Sequence, residues 1–342
     1  MSGMTIKDIA RRCKVGVSTV SRAMNNHPDI NPETKEMILR EIKKANYVPN
    51  NSAQNLKRAD AKAIAVLVKG IDNTFFSELV SVLEKCAHEK KYTCILQRVD
   101  EMEDELDVAL QLVREKKLRG IIFLGGSFSH PKEKLAELSV PYVLSTIYVD
   151  AEKQGNCASV AVDDEKESCK MTEYLLDLGH RDIAILTARR EDESIGKLRL
   201  LGYQQALSRH GIPFDESLVC YMDEKTDRYS FRSGYRLTRQ LLERGRKFTA
   251  LYATSDTLAI GACKALTEAG IRVPEDCSVA GFDGMDIGEY YNPGITTIRQ
   301  PVEKIAEASA RLLFDMIKKK NKPGHEIFEG ELLVRSSTGE KR

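Results

Sequence analysis

Residues 15–25 read VGVSTVSRAMN. On a helix from about residue 17 to 25, Val20, Ala23 and Met24 share one face and leave Ser18, Ser21, Arg22 and Asn25 on the other, because side chains three and four apart are neighbours. Hydroxyls and amides bond phosphates and base edges, and an arginine fork pairs with guanine O6 and N7 in a major groove. An ordinary polar surface helix would show the same split, so the neighbouring residues decide. Upstream, Ile6, Ile9, Ala10 and Cys13 recur at helical spacing behind the capping-box-like T-x-x-D of Thr5 and Asp8. Only residues 14–16 separate these two helices. Downstream, Pro32 opens a third helix carrying Ile38, Ile42 and Ala45. Three short helices, the first two joined this tightly, predict a helix-turn-helix.

The charge distribution supports a polyanion as partner. The 342-residue chain has a formal charge of only +1, yet residues 1–62 hold twelve Lys/Arg against six Asp/Glu and the remainder carries −5. A basic head on an acidic body is the pattern of a segment that meets nucleic acid. Residues 47–51, YVPNN, break the helical pattern at Pro49, and SAQNLKR then offers about two turns. A helix under roughly 12 residues is marginal alone in water, so something else must order this one.

From Ala63 onward the apolar runs AIAVLV, TCILQ, GIIFLG, PYVLS, DIAILT, SLVCY, TALYAT and CSVAGF alternate with helical stretches at 75–90, 102–116, 195–210, 229–244 and 258–269. This alternation predicts parallel sheet covered on both faces. There are too many units for one five-stranded sheet, which predicts two lobes, with YYNPGITTIRQP as a crossover between them. The fold class expected is a small all-α helix-turn-helix head plus an α/β body of two doubly wound parallel-sheet lobes.

The same residues argue against other classes. MSGMTIKDIARRCKV has no apolar core before its first charges, and no run of 18 apolar residues occurs, so neither a secretory signal nor a spanning helix is expected and the protein is read as cytoplasmic. The eight cysteines are scattered without a C-x-x-C pair, which predicts buried free thiols, no metal site and no cofactor. His180 follows Leu-Gly with no G-x-S-x-G elbow, Asp163 and Asp164 sit where they would cap a helix, and Gly125-Gly126-Ser127 lacks the lysine of a phosphate loop. No catalytic constellation emerges, so no enzyme is expected.

The run TIKDIARRCKVGVSTVSRAMN…INPETKEMILREIKKANYVPNNSAQNL resembles the DNA-binding head of the lactose-repressor/galactose-repressor (LacI/GalR) family of bacterial transcription regulators. The matching pieces are T-I-x-D-I-A, V-S-T-V-S-R-x-x-N, the Pro-x-T-x-x-x-I helix and Y-x-P-N-x-x-A-x-x-L. The resemblance continues through NTFF at 73–76, LGHRDIA at 178–184, R-x-x-G-Y at 199–203, ATSDTLAIGA, PEDCSVAGFD and ITTIRQP. It implies a head over 4–58, ending in a hinge helix at about 50–58, and a body over 59–342 like a periplasmic sugar-binding protein. The first lobe would take about 62–162 plus 293–324, and the second about 163–292 plus 325–340.

In the head, the resemblance gives base reading to Val17, Ser18 and Arg22 and phosphate contacts to Thr5, Thr19, Ser21, Asn25 and Tyr47. The hinge would begin at Asn50, with Ala53 near the minor-groove floor and Leu56 as an apolar wedge; wedge insertion costs unstacking energy, offset by the contacts a kinked duplex allows. The effector cleft would be lined by Lys69, Asn73, Phe75, Phe76 and Thr146 from one lobe and Arg189, Arg199, Tyr229, Ser255 and Asp283 from the other. Of the two phenylalanines, one is expected in the pocket and one in the core.

The sequence departs from the family pattern in both parts. Gly16 replaces the usual serine cap, and Gln54-Asn55 replaces Arg-Ser in the hinge. Around the cleft, Thr74 replaces a proline, Lys69 a small or neutral residue, Thr146 an aspartate and Arg189-Arg190 a Gly-Pro turn. These changes point to an anionic effector, a sugar acid or sugar phosphate, unless the cations turn to solvent. The function expected is a homodimeric regulator, a repressor, on a palindromic double-stranded DNA operator, controlled by a sugar-like effector and without membrane contact. The alternative is a cytoplasmic sugar-binding module without DNA binding.

Overall fold

The computed structural model describes residues 6–24, 29–45, 62–70, 73–100, 103–126, 130–148, 157–223, 229–319 and 323–341. The chain divides into two compact units, Met1–Ala61 and Lys62–Arg342. In the first, helices Ile6–Arg12, Val17–Met24 and Pro32–Lys44 close over a core in which each supplies one fully buried aliphatic residue: Ile9, Val20 and Ile38. Lys14 adopts a left-handed φ of 53° in the turn between the first two helices. The Gly16 carbonyl then accepts the amides of Thr19 and Val20, at 2.9 and 3.1 Å, and starts the second helix. The third is capped by Asn31, whose Oδ1 accepts the Glu33 amide at 2.9 Å, with Pro32 at the first helical position, where it needs no N–H partner.

The second unit holds two six-stranded sheets. The first comprises β1 (Ala63–Lys69), β2 (Thr93–Val99), β3 (Gly120–Leu124), β4 (Tyr142–Ser145), β5 (Cys157–Val162) and β11 (His325–Phe328), in the order β11-β5-β4-β3-β1-β2 and parallel throughout. The second comprises β6 (Ile183–Thr187), β7 (Val219–Tyr221), β8 (Ala250–Ala253), β9 (Ser278–Asp283), β10 (Thr296–Arg299) and β12 (Glu331–Leu333), in the order β12-β10-β9-β8-β6-β7. It is parallel except for β12, which runs antiparallel to β10. Central strands are buried along almost their whole length, which explains why they read as continuous apolar runs rather than alternating ones.

The lobe boundaries near the end of the chain differ from those expected. Residues 296–299, placed in the first lobe by the sequence reading, pair with β9 in the second sheet. Residues 325–328, placed in the second lobe, pair with β5 in the first sheet. The chain therefore crosses after β5, again between β10 and the Val302–Ile317 helix, and a third time between β11 and β12. That helix packs on the first lobe, where Ser309 Oγ donates to Ser145 Oγ at 2.9 Å.

Two helices of the second lobe meet almost backbone to backbone. A Cβ on Gly234 of the Phe231–Glu243 helix would lie 2.2 Å from the Leu258 carbonyl oxygen, and one on Gly261 of the Asp256–Glu268 helix 2.1 Å from that of Phe231. His180 ties three segments, its ring nitrogens lying 2.9 Å from Thr249 Oγ1, 3.0 Å from Ser278 Oγ and 3.1 Å from the Gly339 carbonyl. All eight cysteines are free thiols, six buried and two half-buried. No helix among the described residues is long and apolar enough to cross a membrane.

Candidate functional site

In the head, burial divides the Val17–Met24 helix along the line the sequence suggests. Val20 and Ala23 enter the core, Thr19 and Ser21 are half-buried, and Val17, Ser18 and Arg22 are exposed. Val17 is 42% exposed, and nothing in the packing of the head's described residues calls for an apolar residue there. Thr5, Asn25, Tyr47, Asn50, Ala53 and Leu56, and with them the expected hinge at 50–58, lie outside the described residues.

In the body, a cavity opens between the carboxyl ends of the strands of the two lobes. The space it bounds, open solvent at its mouth included, is about 690 Å³. Eight of the ten residues expected there line it: Lys69, Asn73, Phe75, Phe76 and Thr146 from the first lobe, and Arg199, Tyr229 and Asp283 from the second. Phe75 and Phe76 do not divide between pocket and core. Both line the cavity and both belong to the core, their rings edge to face with centroids 5.5 Å apart.

Two expected residues are elsewhere. Ser255 is fully buried as the N-cap of the Asp256–Glu268 helix, its Oγ accepting the Leu258 amide at 3.3 Å and lying 2.8 Å from Thr257 Oγ1. Arg189 is half-buried in the turn after β6 and is not part of the cavity wall. Its neighbour Arg190 is exposed, pairs with Glu216 and lies over the Tyr221 ring.

Arg199 organises the second-lobe wall. It is 2% exposed; its Nε donates to Asp164 Oδ1 at 2.8 Å, its Nη1 donates to the Thr254 carbonyl at 2.6 Å and lies 3.5 Å from Asp283 Oδ1, and its guanidinium stacks 3.7 Å from the Phe282 ring centroid. Burial works against the guanidinium charge, but Asp164 and Asp283 outweigh it and raise its pKa. The paired aspartates thus divide their roles: Asp163 caps the helix by accepting the Lys166 amide at 3.0 Å, while Asp164 is the buried partner of Arg199.

Asp283 is tied to the segment where the chain crosses between lobes: its Oδ1 accepts Gln300 Nε2 at 2.9 Å. Burial pushes its pKa up to about 6 against the opposing pull of Arg199. Behind it, Asp256 is pushed up to about 8, first by burial and then by the charge of Asp283. Three wall residues, Thr146, Tyr229 and Asp283, hold positive φ values of 69°, 47° and 112°. For non-glycine residues such backbone costs roughly 1–3 kcal/mol and collects at binding sites, where the surroundings over-determine it.

The positive charge expected in the cavity is compensated. Lys69 pairs with Glu105 at 3.0 Å, Arg199 with Asp164 and Asp283, and Arg190 with Glu216 outside the cavity. The sequence reading saw the cations without their carboxylates because each pair joins residues 26 to 84 positions apart. It also passed over Gly70, Gly125, Gly126, Ile147, Ser194, Ile195 and Gln300, which complete the lining. Gln300 carried a usable signal: it precedes Pro301 in the crossover segment.

Residues 5–50 match the family of bacterial regulatory proteins, lacI family, and residues 172–338 match the periplasmic binding protein-like domain. The chain is 40% identical over 337 residues to the HTH-type transcriptional regulator MalR of Clostridium butyricum, covering 98% of this chain and 99% of that one. Among solved structures, a transcriptional regulator CelR–cellobiose complex aligns over 98% of this chain and 99% of its own, at 29% identity and a TM-score of 0.72. A ribose-bound LacI family transcriptional regulator from Enterococcus faecium aligns over 82% of this chain and all of its own, at 28% identity and a TM-score of 0.72. With an outward-facing Val17, Ser18 and Arg22 on a helix-turn-helix, a two-lobed body and similarity along nearly its whole length, the chain belongs to the lacI family of bacterial DNA-binding transcription regulators.

Proposed function

We propose that the protein is a cytoplasmic repressor that binds a two-fold symmetric operator as a homodimer and is controlled by a neutral sugar in the inter-lobe cavity. It acts by binding and not by catalysis. Val17, Ser18 and Arg22 read base edges, Thr19 and Ser21 hold the register with Thr5, Asn25 and Tyr47, and the segment from Asn50 through Ala53 and Leu56 engages the minor groove. One head per half-site follows from the symmetry of helix-turn-helix dimers.

The observation that carries the effector reading is the pairing of Lys69 and Arg199 with buried carboxylates. An anionic sugar would have to displace them, whereas a neutral one meets aromatic faces and an arrangement of polar groups already in place. The cellobiose and ribose found in relatives are neutral sugars. Control follows if the sugar binds one lobe arrangement more tightly than the other, since that differential is the coupling free energy passed to the operator site.

The test is selection of duplexes from a random pool, followed by titration with and without ribose, cellobiose, glucuronate and glucose 6-phosphate. Affinity should fall steeply with salt. Arg22→Ala should relax preference at one base pair, costing about 1–3 kcal/mol of discrimination there, while Thr19→Val should weaken all sequences alike. Equal DNA binding by the full chain and by a chain starting at Lys62 would defeat the proposal, as would operator affinity that responds only to the acidic sugars.

A further inference from the structure

Lys69 ends β1 and lines the cavity with its side chain 14% exposed. Its Nζ donates to Glu105 Oε2 at 3.0 Å and to the Glu103 carbonyl at 2.7 Å. Glu105 is 4% exposed, does not itself line the cavity, and places its other oxygen 3.0 Å from His130 Nε2. The backbone is shaped around this pair. At Gly126, with φ of 99°, a Cβ would lie 2.7 Å from Glu105 Oε1, and at Gly125, with φ of 69°, it would lie 2.8 Å from the Lys69 carbonyl oxygen. The Gly125-Gly126 turn, which lacks what a phosphate loop needs, thus covers a carboxylate held against the cavity's lysine.

Asp104, Glu105 and His130 present ligand atoms close enough together for a metal ion. Two ammonium groups already occupy the carboxylates, Lys69 on Glu105 and Lys134 on Asp104 at 2.7 Å, so this cluster is an internal ion-pair network.

We infer that Glu105 is a specificity-determining residue: from behind the wall it supplies the counter-charge of Lys69 and so restricts the cavity to neutral sugars. This rests on the reading of the cavity as a sugar site. Glu105 acts through Lys69 and touches no ligand. Without its charge, the Lys69 ammonium is left in the wall facing any carboxylate or phosphate that enters, and a charge-assisted bond to that group becomes available.

The test measures binding of matched neutral and acidic sugars, glucose with glucuronate, galactose with galacturonate and cellobiose with cellobionate, by calorimetry on the full chain. Wild-type protein should favour the neutral member of the pair it binds. Glu105→Gln should shift the acidic-to-neutral affinity ratio toward the acid by about tenfold or more, the scale of one hydrogen bond to a charged group. Adding Lys69→Met to that variant should abolish the shift. Lys69→Met alone, which leaves Glu105 uncovered, should make acidic sugars bind worse; it carries the test if Glu105→Gln does not fold. Wild-type neutral-sugar binding with an unchanged ratio in Glu105→Gln, or better acid binding in Lys69→Met, overturns the inference alone. A wild-type protein that binds neither ribose nor any of the six sugars overturns the sugar reading and this inference together.

Discussion

Arg199 Nε lies 2.8 Å from Asp164 Oδ1, and neither side chain is more than 2% exposed. A buried pair of this kind contributes little compared with an apolar pair of the same shape, but removing one member strands the other charge at a cost of about 3–5 kcal/mol. Arg199→Met should therefore lower the urea midpoint sharply. Asp164→Leu added to it should restore part of the loss. A single variant with an unchanged midpoint would contradict the burial of the pair.

Asp256 gives a pH dependence with a definite sign. Its carboxyl is raised to about 8, first by burial, whereas the unfolded chain titrates it near 4, roughly the free aspartate value. Between those values the folded state holds more protons than the unfolded one, so this group's contribution to stability is full at low pH and is lost as pH rises through about 8. Asp283, raised to about 6, acts in the same direction over a narrower window. Melting temperatures from about pH 5 to pH 9 should fall less steeply in Asp256→Asn than in wild type, because the amide can still accept the Met285 amide bonded to Asp256 Oδ2 at 2.7 Å. Parallel curves would refute this assignment.

Gly261→Ala tests the close helix crossing. The added methyl has backbone on the other side and no flexible side chain to push away. Overpacking of this kind costs typically 1–3 kcal/mol and more where backbone must move. Chemical denaturation should show a loss of at least about that size; a Gly211→Ala control, which meets no atom within 4 Å, is destabilised only by its positive φ of 68° and isolates that contribution.

Gly16→Ser should have the opposite effect. Its Cβ would sit 3.5 Å from Ser18 Oγ, an ordinary contact, and no left-handed backbone opposes it. Serine at a helix N-cap gains a few tenths of a kcal/mol over glycine. A small rise in the thermal midpoint of the head, read from its own transition, checks it.

The two-lobed body was legible because continuous apolar runs such as AIAVLV alternate with helical stretches, the pattern of strands buried on both faces. What escaped were β5, β10, β11 and β12, whose residues CASVAV, TTIR, HEIF and ELL mix small, polar and charged side chains. The last three lie at or near sheet edges, where burial imposes less on the sequence, and this is also where the lobe assignment failed. At the cavity, family position identified most of the wall. It failed at Ser255, where a serine before a helix serves as a cap, and it missed Glu105, which sits behind the wall and reveals itself only through Lys69.

The threefold crossing between lobes has a consequence for how the protein is made. Residues 325–328 cover the β5 edge of one sheet, and residues 331–333 cover the β10 edge of the other. Until this stretch of nine residues leaves the ribosome, both sheets carry an open strand edge of the kind that templates aggregation. The two lobes therefore reach completion together, and a nascent chain stalled anywhere between β10 and β11 is exposed at two edges at once.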